Sequence, residues 1–159
     1  MRPDEATRLR ELRLAALKDS PDAFYTTFEE AQNYPGESWV ASVQKAQRDE
    51  EAILVAVDDD RWVGMIGLFP DTAVAGALHI WGMWVDPGYR GRNLGGALLD
   101  AATEVAARTA ATSVRLHVVM TNESATALYE RRGFVPAGEP GPLRPGKDLT
   151  QIELAKDLR

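Results

Sequence analysis

The chain has 159 residues, of which 45% are hydrophobic and 26% charged, and a formal net charge of −6. That size and balance fit one soluble domain over residues 1–159, and the acidic excess argues against a phosphate-coating surface, so neither nucleic acid nor membrane is an expected partner. No cysteine is present, which excludes disulfides, thiolate metal sites and a cysteine nucleophile.

The opening stretch, "MRPDEATRLRELRL", carries acidic residues and lacks an apolar core segment. It does not read as a secretory signal, no window approaches a membrane span, and a cytoplasmic location is expected. Leu9, Leu12, Ala16 and Leu17 recur at helical spacing and predict a helix over about 5–18. Pro21 disfavours helix at Ser20 and ends it. A short helix follows over 24–32, closed by "NYPGES", and a third is expected over 39–48. Residues 53–57 and 62–69 are apolar runs separated by "DDDR", which predicts an antiparallel hairpin.

Residues 78–85, "LHIWGMWV", read as a third strand, with Gly82 marking a bulge or a close backbone approach. Alternation from this strand puts Trp81 and Trp84 on opposite faces. Leu94, Ala97, Leu98, Ala101 and Val105 form one apolar stripe, so 94–109 is a long helix. A strand over 113–120 and a short helix over 124–132 follow, the helix stopped by Gly133. Residues 134–137 form a short strand, "GEPGPLRPGKD" a loop, and 150–156 a final strand. The order predicts a mixed α/β fold of α+β type, a largely antiparallel sheet with one crossover helix.

Where the third strand gives way to the long helix lies "VDPGYRGRNLGGALL", residues 85–99. A helix N-terminus offers unpaired N–H groups and partial positive charge, and it is a common phosphate site. Gly91, Gly95 and Gly96 let a bulky anion approach the backbone, and Arg90 and Arg92 add charged donors. The physical reading is a pyrophosphate cradle; the bland one is a packed turn with solvated arginines. The chain has no P-loop, and the glycine spacing does not match a dinucleotide fingerprint.

The pattern Val85-x-Pro87-x-Tyr89-Arg90-Gly91-x-x-Leu94-Gly95-x-x-Leu98-Leu99 resembles motif A of the GNAT N-acetyltransferase superfamily, which binds acetyl-coenzyme A. Arg90 and Gly95 match the first and last positions of the family core. Asn93 stands where a middle glycine is usual, and Asn tolerates left-handed backbone better than most residues. Downstream, Asn122-x-x-Ala125-x-x-Leu128-Tyr129-Glu130-Arg131-Arg132-Gly133-Phe134 resembles the family's motif B. The resemblance implies a GNAT-like twisted sheet flanked by helices, with the family's usual first strand short or missing. It implies acetyl-coenzyme A as co-substrate, with the pantetheine arm held by backbone near Met83, Trp84 and Val85. The pyrophosphate would be held from Arg90, Gly91, Arg92, Asn93, Leu94, Gly95 and Gly96. Asn122 matches a coenzyme-contacting position, although it is equally good as a helix cap.

The same resemblance implies acetyl transfer to a primary amine by direct attack in a ternary complex. Tyr129 matches the position that protonates the leaving thiolate; its bland reading is packing against Leu128 and Phe134. Glu29 and Glu30 lie in the helical region that shapes the acceptor pocket and are candidate substrate-binding residues, as is His117. The bland alternative for the glutamates is a solvated helix face, and for His117 an ordinary strand residue. His79 and His117 alone do not make a metal site, and no metal is expected. The acidic exterior tilts the acceptor towards a small cationic amine. Many members of the family form homodimers, but no stretch of this sequence marks an interface. The alternative function is a coenzyme A binding or sensing module without turnover, since no residue stands out as the general base.

Overall fold

The computed structural model describes residues 2–48 and 51–159. After a 3-10 turn at Pro3–Glu5, helix α1 spans Ala6–Asp19 and buries Leu9, Leu12, Ala16 and Leu17. It ends where Ser20 leaves helical backbone ahead of Pro21. Helix α2 spans only Phe28–Gln32. Its start is set by a capping box rather than by Phe24: Thr27 Oγ1 accepts from Glu30 N at 3.2 Å, and Glu30 Oε2 accepts from Thr27 N at 2.9 Å. Helix α3 runs over Gly36–Lys45, starting directly after Pro35 and stopping before the turn that was expected to be helical.

Strands β1 (Ala52–Asp58) and β2 (Arg61–Pro70) form the expected hairpin, turned at Asp59 with φ 51°. Strand β3 is Ala77–Val85, helix α4 Leu94–Ala107, strand β4 Ser113–Val119 and helix α5 Glu123–Arg131. Strands β5 (Val135–Pro136), β6 (Gly141–Pro142) and β7 (Thr150–Asp157) complete the sheet. The two-residue β6 lies in the stretch read as loop; it pairs with Thr150 and Gln151, and Pro142 is tolerated because the pairing lies at an edge. Among the described residues no strand precedes α1.

The sheet order is β1-β2-β3-β4-β7-β5, with β6 on the other end of β7. Every pairing is antiparallel except β3 with β4, the pair that α4 connects. This is the mixed, mostly antiparallel sheet with flanking helices that the sequence predicts. Two apolar layers close it. Leu98, Leu99, Ala102 and Ala106 of α4 pack on Ile66, Leu78, Ile80, Leu116 and Phe134. On the opposite face, Leu9, Leu12, Leu17, Trp39 and Val43 pack on Met65 and Trp84. Among the described residues no helix is long and apolar enough to cross a membrane.

Two irregularities of β3 prepare the site. First, its parallel pairing with β4 covers only Ala77↔Ser113, Leu78↔Val114 and His79↔Arg115. Beyond those residues the strands part. Second, Met65 faces Trp84 while Gly67 faces Trp81, so Gly82 and Met83 together oppose Ile66 alone. This is a β-bulge, and Gly82 takes φ +63°, a value that glycine adopts without strain. The extra residue resets the alternation. Trp81 and Trp84 therefore lie on the same face, under α1 and α3, and the expectation of opposite faces is corrected.

Candidate functional site

A cleft of about 660 Å³ opens where β3 and β4 part. Its walls are Ile80 to Val85 of β3, Leu116 to Val119 of β4, the turn before α4, one side of α5, and Ser20, Ala23 and Phe24 after α1. Among the described lining residues there is no carboxylate, whereas Arg90 and Arg131 are present. The wall chemistry therefore favours an anionic guest.

The turn has the backbone that the sequence requires. Gly91 sits at φ +79° and Asn93 in the left-handed region at φ 59°, ψ 22°, which hands the chain into α4. The first intrahelical hydrogen bond of α4 is Ala97 N to Asn93 O at 3.0 Å. Among the described residues, the amides of 91–96 donate to no protein acceptor. They form the free end of a helix dipole at the mouth of the cleft. Gly95 lets α4 close on β3: a Cβ there would stand 3.3 Å from Met83 Cε and 3.4 Å from Leu128 Cδ2. A Cβ at Gly96 would run into Arg132 and Asn93.

Strand geometry supplies further polar groups. Asp86 N donates to Val63 O at 2.8 Å, so the neighbouring Val85 N–H and C=O point the other way, into the split. Arg90 Nε donates to that Val85 carbonyl at 3.0 Å, and Arg90 Nη2 reaches Asp19 Oδ2 at 2.6 Å. Arg92 lies over the Tyr89 ring at 5.1 Å, and the Tyr89 hydroxyl donates to Asp58 Oδ2 at 2.7 Å. Arg90 thus fastens the turn to α1, while Arg92 packs outside the cleft lining. Asn93, Leu94, Met83 and Trp84 all border the cleft. Asn122 does both things that its position allows: it borders the cleft, and its Oδ1 accepts from Ala125 N at 3.2 Å to cap α5.

Tyr129 is 7% exposed and borders the cleft from α5. Its hydroxyl meets Met83 Sδ at 3.5 Å, and its ring packs on Phe134 at 5.9 Å between centroids. Burial pushes its pKa up to about 12. The phenol therefore keeps its proton throughout the physiological range, with its O–H directed at Met83 Sδ.

His117 also borders the cleft, on β4. Glu29 and Glu30 do not: they sit on α2, with the Glu30 carboxylate held in the capping box, and the structure does not bring them to this cleft.

Three residues of the site carry no signal in the sequence. Asp19 Oδ2 accepts from Trp84 Nε1 at 3.0 Å as well as from Arg90, and Ser20 Oγ donates to it at 2.7 Å. The Trp84 bond, the Ser20 bond and Arg90 together hold its carboxyl down at about 2, against the opposing effect of burial. Arg13, 9% exposed, lies between the rings of Phe24 at 4.6 Å and Trp81 at 5.6 Å, beneath the Gly82 bulge. Burial lowers its pKa to about 10, which leaves it charged at neutral pH. Phe24, read only as the start of a helix, is a wall of the cleft.

The Asp19 tie makes a pH prediction. A carboxyl whose folded pKa is depressed from 3.8 to about 2 stabilises the fold fully above 3.8, and that stability is lost as pH falls through 2. Asp19→Asn should cost about 1 kcal/mol at pH 7, because solvent screens a partly exposed ion pair. The difference between wild type and variant in thermal melts should stay level from pH 7 to about 4 and close below it. A gap of constant size down to pH 2 would contradict the tie.

The sequence matches the model of a family described as "Acetyltransferase (GNAT) family" over residues 10–134. A mycothiol acetyltransferase from Beutenbergia cavernae is 33% identical over 129 residues, which are 79% of this chain and 39% of that protein. The chain spans about two fifths of the length of the curated relatives it matches first. Among solved structures, a GNAT-family acetyltransferase from Streptococcus pneumoniae superposes with a TM-score of 0.85 at 21% identity, over 99% of this chain and 95% of that one. A putative acetyltransferase from Salmonella typhimurium, solved with its cofactor acetyl-CoA, gives 0.83 at 16% identity, over 100% and 91%.

Proposed function

The chain belongs to the GNAT acetyltransferase family, and from that premise we propose that it is an acetyl-CoA-dependent N-acetyltransferase acting on a primary amine by direct attack in a ternary complex. The reading treats residues 1–159 as one such domain. The observation that carries it is the row of unpartnered amides over residues 91–96, facing a cleft whose walls hold arginines and no carboxylate. A pyrophosphate satisfies such amides; an apolar or cationic ligand does not. The glycines fit the same guest, since any Cβ at 95 or 96 would fill the space between α4 and its neighbours.

When bound, acetyl-CoA supplies the activated acetyl group. The residues then divide the work. The amides of 91–96 hold the phosphates, with the Arg90–Asp19 tie keeping the turn in place. The backbone of Met83, Trp84 and Val85, pushed out by the bulge at Gly82, would hold the pantetheine arm, and the Val85 N–H, which points away from β2, would steady charge on the carbonyl oxygen. Asn122 flanks the arm from the start of α5.

Tyr129 acts on the leaving sulfur. A phenol at about 12 is a weaker acid than a thiol of ordinary pKa near 8.5, so full proton release runs uphill. The phenol therefore donates a hydrogen bond as charge collects on the sulfur, and it passes its proton to the sulfur only as it takes up the one that the amine nitrogen loses, ending as the phenol again. The acceptor is a small cationic amine. Selection for its charge acts during approach, through the net charge of −6, because no carboxylate lines the cleft itself.

A thiol-reactive colour assay tests the reading directly, because a protein without cysteine contributes no background. Acetyl-CoA plus a panel of primary amines should release thiol in step with an acetylated amine detected by mass spectrometry. Binding of acetyl-CoA with no release across polyamines, amino acids, aminoglycosides and peptide N-termini would instead support the coenzyme A sensing module.

A further inference from the structure

Beside the cleft, three side chains stand in a line that no motif encodes. Asp71 lies in the turn after β2, His79 on β3 and His117 on β4. Asp71 Oδ2 meets His79 Nδ1 at 3.2 Å, and His79 Nε2 meets His117 Nδ1 at 3.4 Å. The two rings lie with centroids 5.1 Å apart and planes tilted by 34°. The Asp71 side chain is 8% exposed and that of His79 15%, whereas His117 is exposed and borders the cleft. The line therefore runs from a buried carboxylate to an open imidazole at the site.

The order of protons along the line follows from its buried end. Asp71 Oδ1 accepts from Ala73 N at 2.7 Å and Val74 N at 2.9 Å. Burial raises the carboxyl pKa, but these amides and His79 outweigh it and hold the group below its usual range, so it is ionised. A carboxylate only accepts, so His79 carries its proton on Nδ1. In the neutral ring Nε2 is then a lone pair, which requires His117 to donate from Nδ1. The basic lone pair of His117 falls on Nε2, a nitrogen that no described protein group engages.

We propose that His117 is the general base of this acetyltransferase, with His79 and Asp71 as positioning residues that fix its tautomer and share the proton it takes. The proposal rests on the N-acetyltransferase reading above. The acceptor's ammonium N–H bond breaks and its proton bonds to His117 Nε2. The freed nitrogen pair forms the C–N bond as the C–S bond of the thioester breaks. The second amine proton ends on the coenzyme's sulfur through the Tyr129 side of the cleft. His117 passes its Nδ1 proton to His79 Nε2, which leaves the positive charge on His79 against Asp71, and from there the proton returns by the same path to solvent.

The groups around His117 suit this task. Although its side chain reaches solvent, partial desolvation against the neighbouring strand and then His79 lower its pKa below the usual imidazole value, so it is neutral at pH 7. Glu153 stands opposite it on β7 and is engaged by Arg115 of β4; the two charges act on the imidazole in opposite directions, Glu153 raising its pKa and Arg115 lowering it. With Asp71, these are the charged groups that face it from the packed elements.

The chain has two histidines, which makes the test clean. Nitrogen-15 imidazole spectra of the free protein at pH 7.5 should show both rings as Nδ1–H tautomers, and an Nε2–H tautomer at His117 would overturn the proposal whatever the acceptor proves to be. In turnover, His117→Gln should lower kcat/KM for the amine at least tenfold and remove the acidic limb of its pH profile. Its thermal shift with acetyl-CoA should match wild type. Asp71→Asn should move that limb rather than abolish it. A His117→Gln enzyme with wild-type rate and limb would overturn the base assignment. Failure of the underlying reading looks different: no acetyl-CoA shift in the wild type, with the tautomers as predicted.

Discussion

Gly95→Glu should abolish detectable acetyl-CoA binding at concentrations that saturate the wild type, raising Kd at least about 100-fold. Two effects act together. The new side chain begins 3.3 Å from Met83 Cε and 3.4 Å from Leu128 Cδ2, so it must turn towards the cleft or push α4 away from β3. It also places a carboxylate among the amides of 91–96, where the pyrophosphate is to sit. Losing two charge-assisted hydrogen bonds and adding like-charge repulsion amounts to about 3 kcal/mol or more, which is the stated factor. Isothermal titration reads it, and circular dichroism melts check that the variant folds. Gly95→Ala separates the terms: it adds the crowding without the charge and should weaken binding about tenfold or less. Wild-type affinity in a folded Gly95→Glu protein would remove the helix end from the binding account.

Tyr129→Phe should lower kcat about 100-fold while leaving the Kd for acetyl-CoA within about threefold of wild type, the low end of what a positioned acid contributes. The ring contact with Phe134 survives the change, and the lost partner is only the sulfur of Met83 at 3.5 Å. The stability cost should therefore stay near or below about 1 kcal/mol. Single-turnover kinetics with a good amine isolate the chemical step. Because burial raises the phenol to about 12, its ionisation should place no basic limb on the wild-type profile below pH 10. An unchanged single-turnover rate in Tyr129→Phe would reduce this residue to packing.

What the sequence discloses about this site is what lies close together along the chain. The turn of 85–99 and the helix of 122–134 are local, so the glycines, the left-handed Asn93, the Asn122 cap and the Gly133 stop are legible from residue type alone. The sheet class follows from the same local periodicities. Lateral relations are not legible. Whether Trp81 and Trp84 share a face depends on the bulge at Gly82, a glycine that the sequence alone reads equally as a close backbone approach and whose register shows only in the pairing with β2. The Arg90–Asp19 bond joins residues 71 positions apart, and His79 meets His117 across 38. Each half of such a pair looks like an ordinary surface residue until the strands are ordered. Glu29 and Glu30 show the converse. Their place in the helical region suggests an acceptor pocket, yet the capping box uses one carboxylate to start α2.

The central claim is that the split between β3 and β4 and the free end of α4 bind acetyl-CoA. Thermal unfolding with acetyl-CoA, and with ATP and NAD as controls, tests it most directly. At 100 times its dissociation constant a ligand specific for the folded state adds about 2.7 kcal/mol, which is a shift of several degrees for a chain of this size. A rise in Tm with acetyl-CoA that ATP and NAD do not reproduce is the predicted result. An unchanged Tm at saturating acetyl-CoA, or an equal rise with all three, would contradict it.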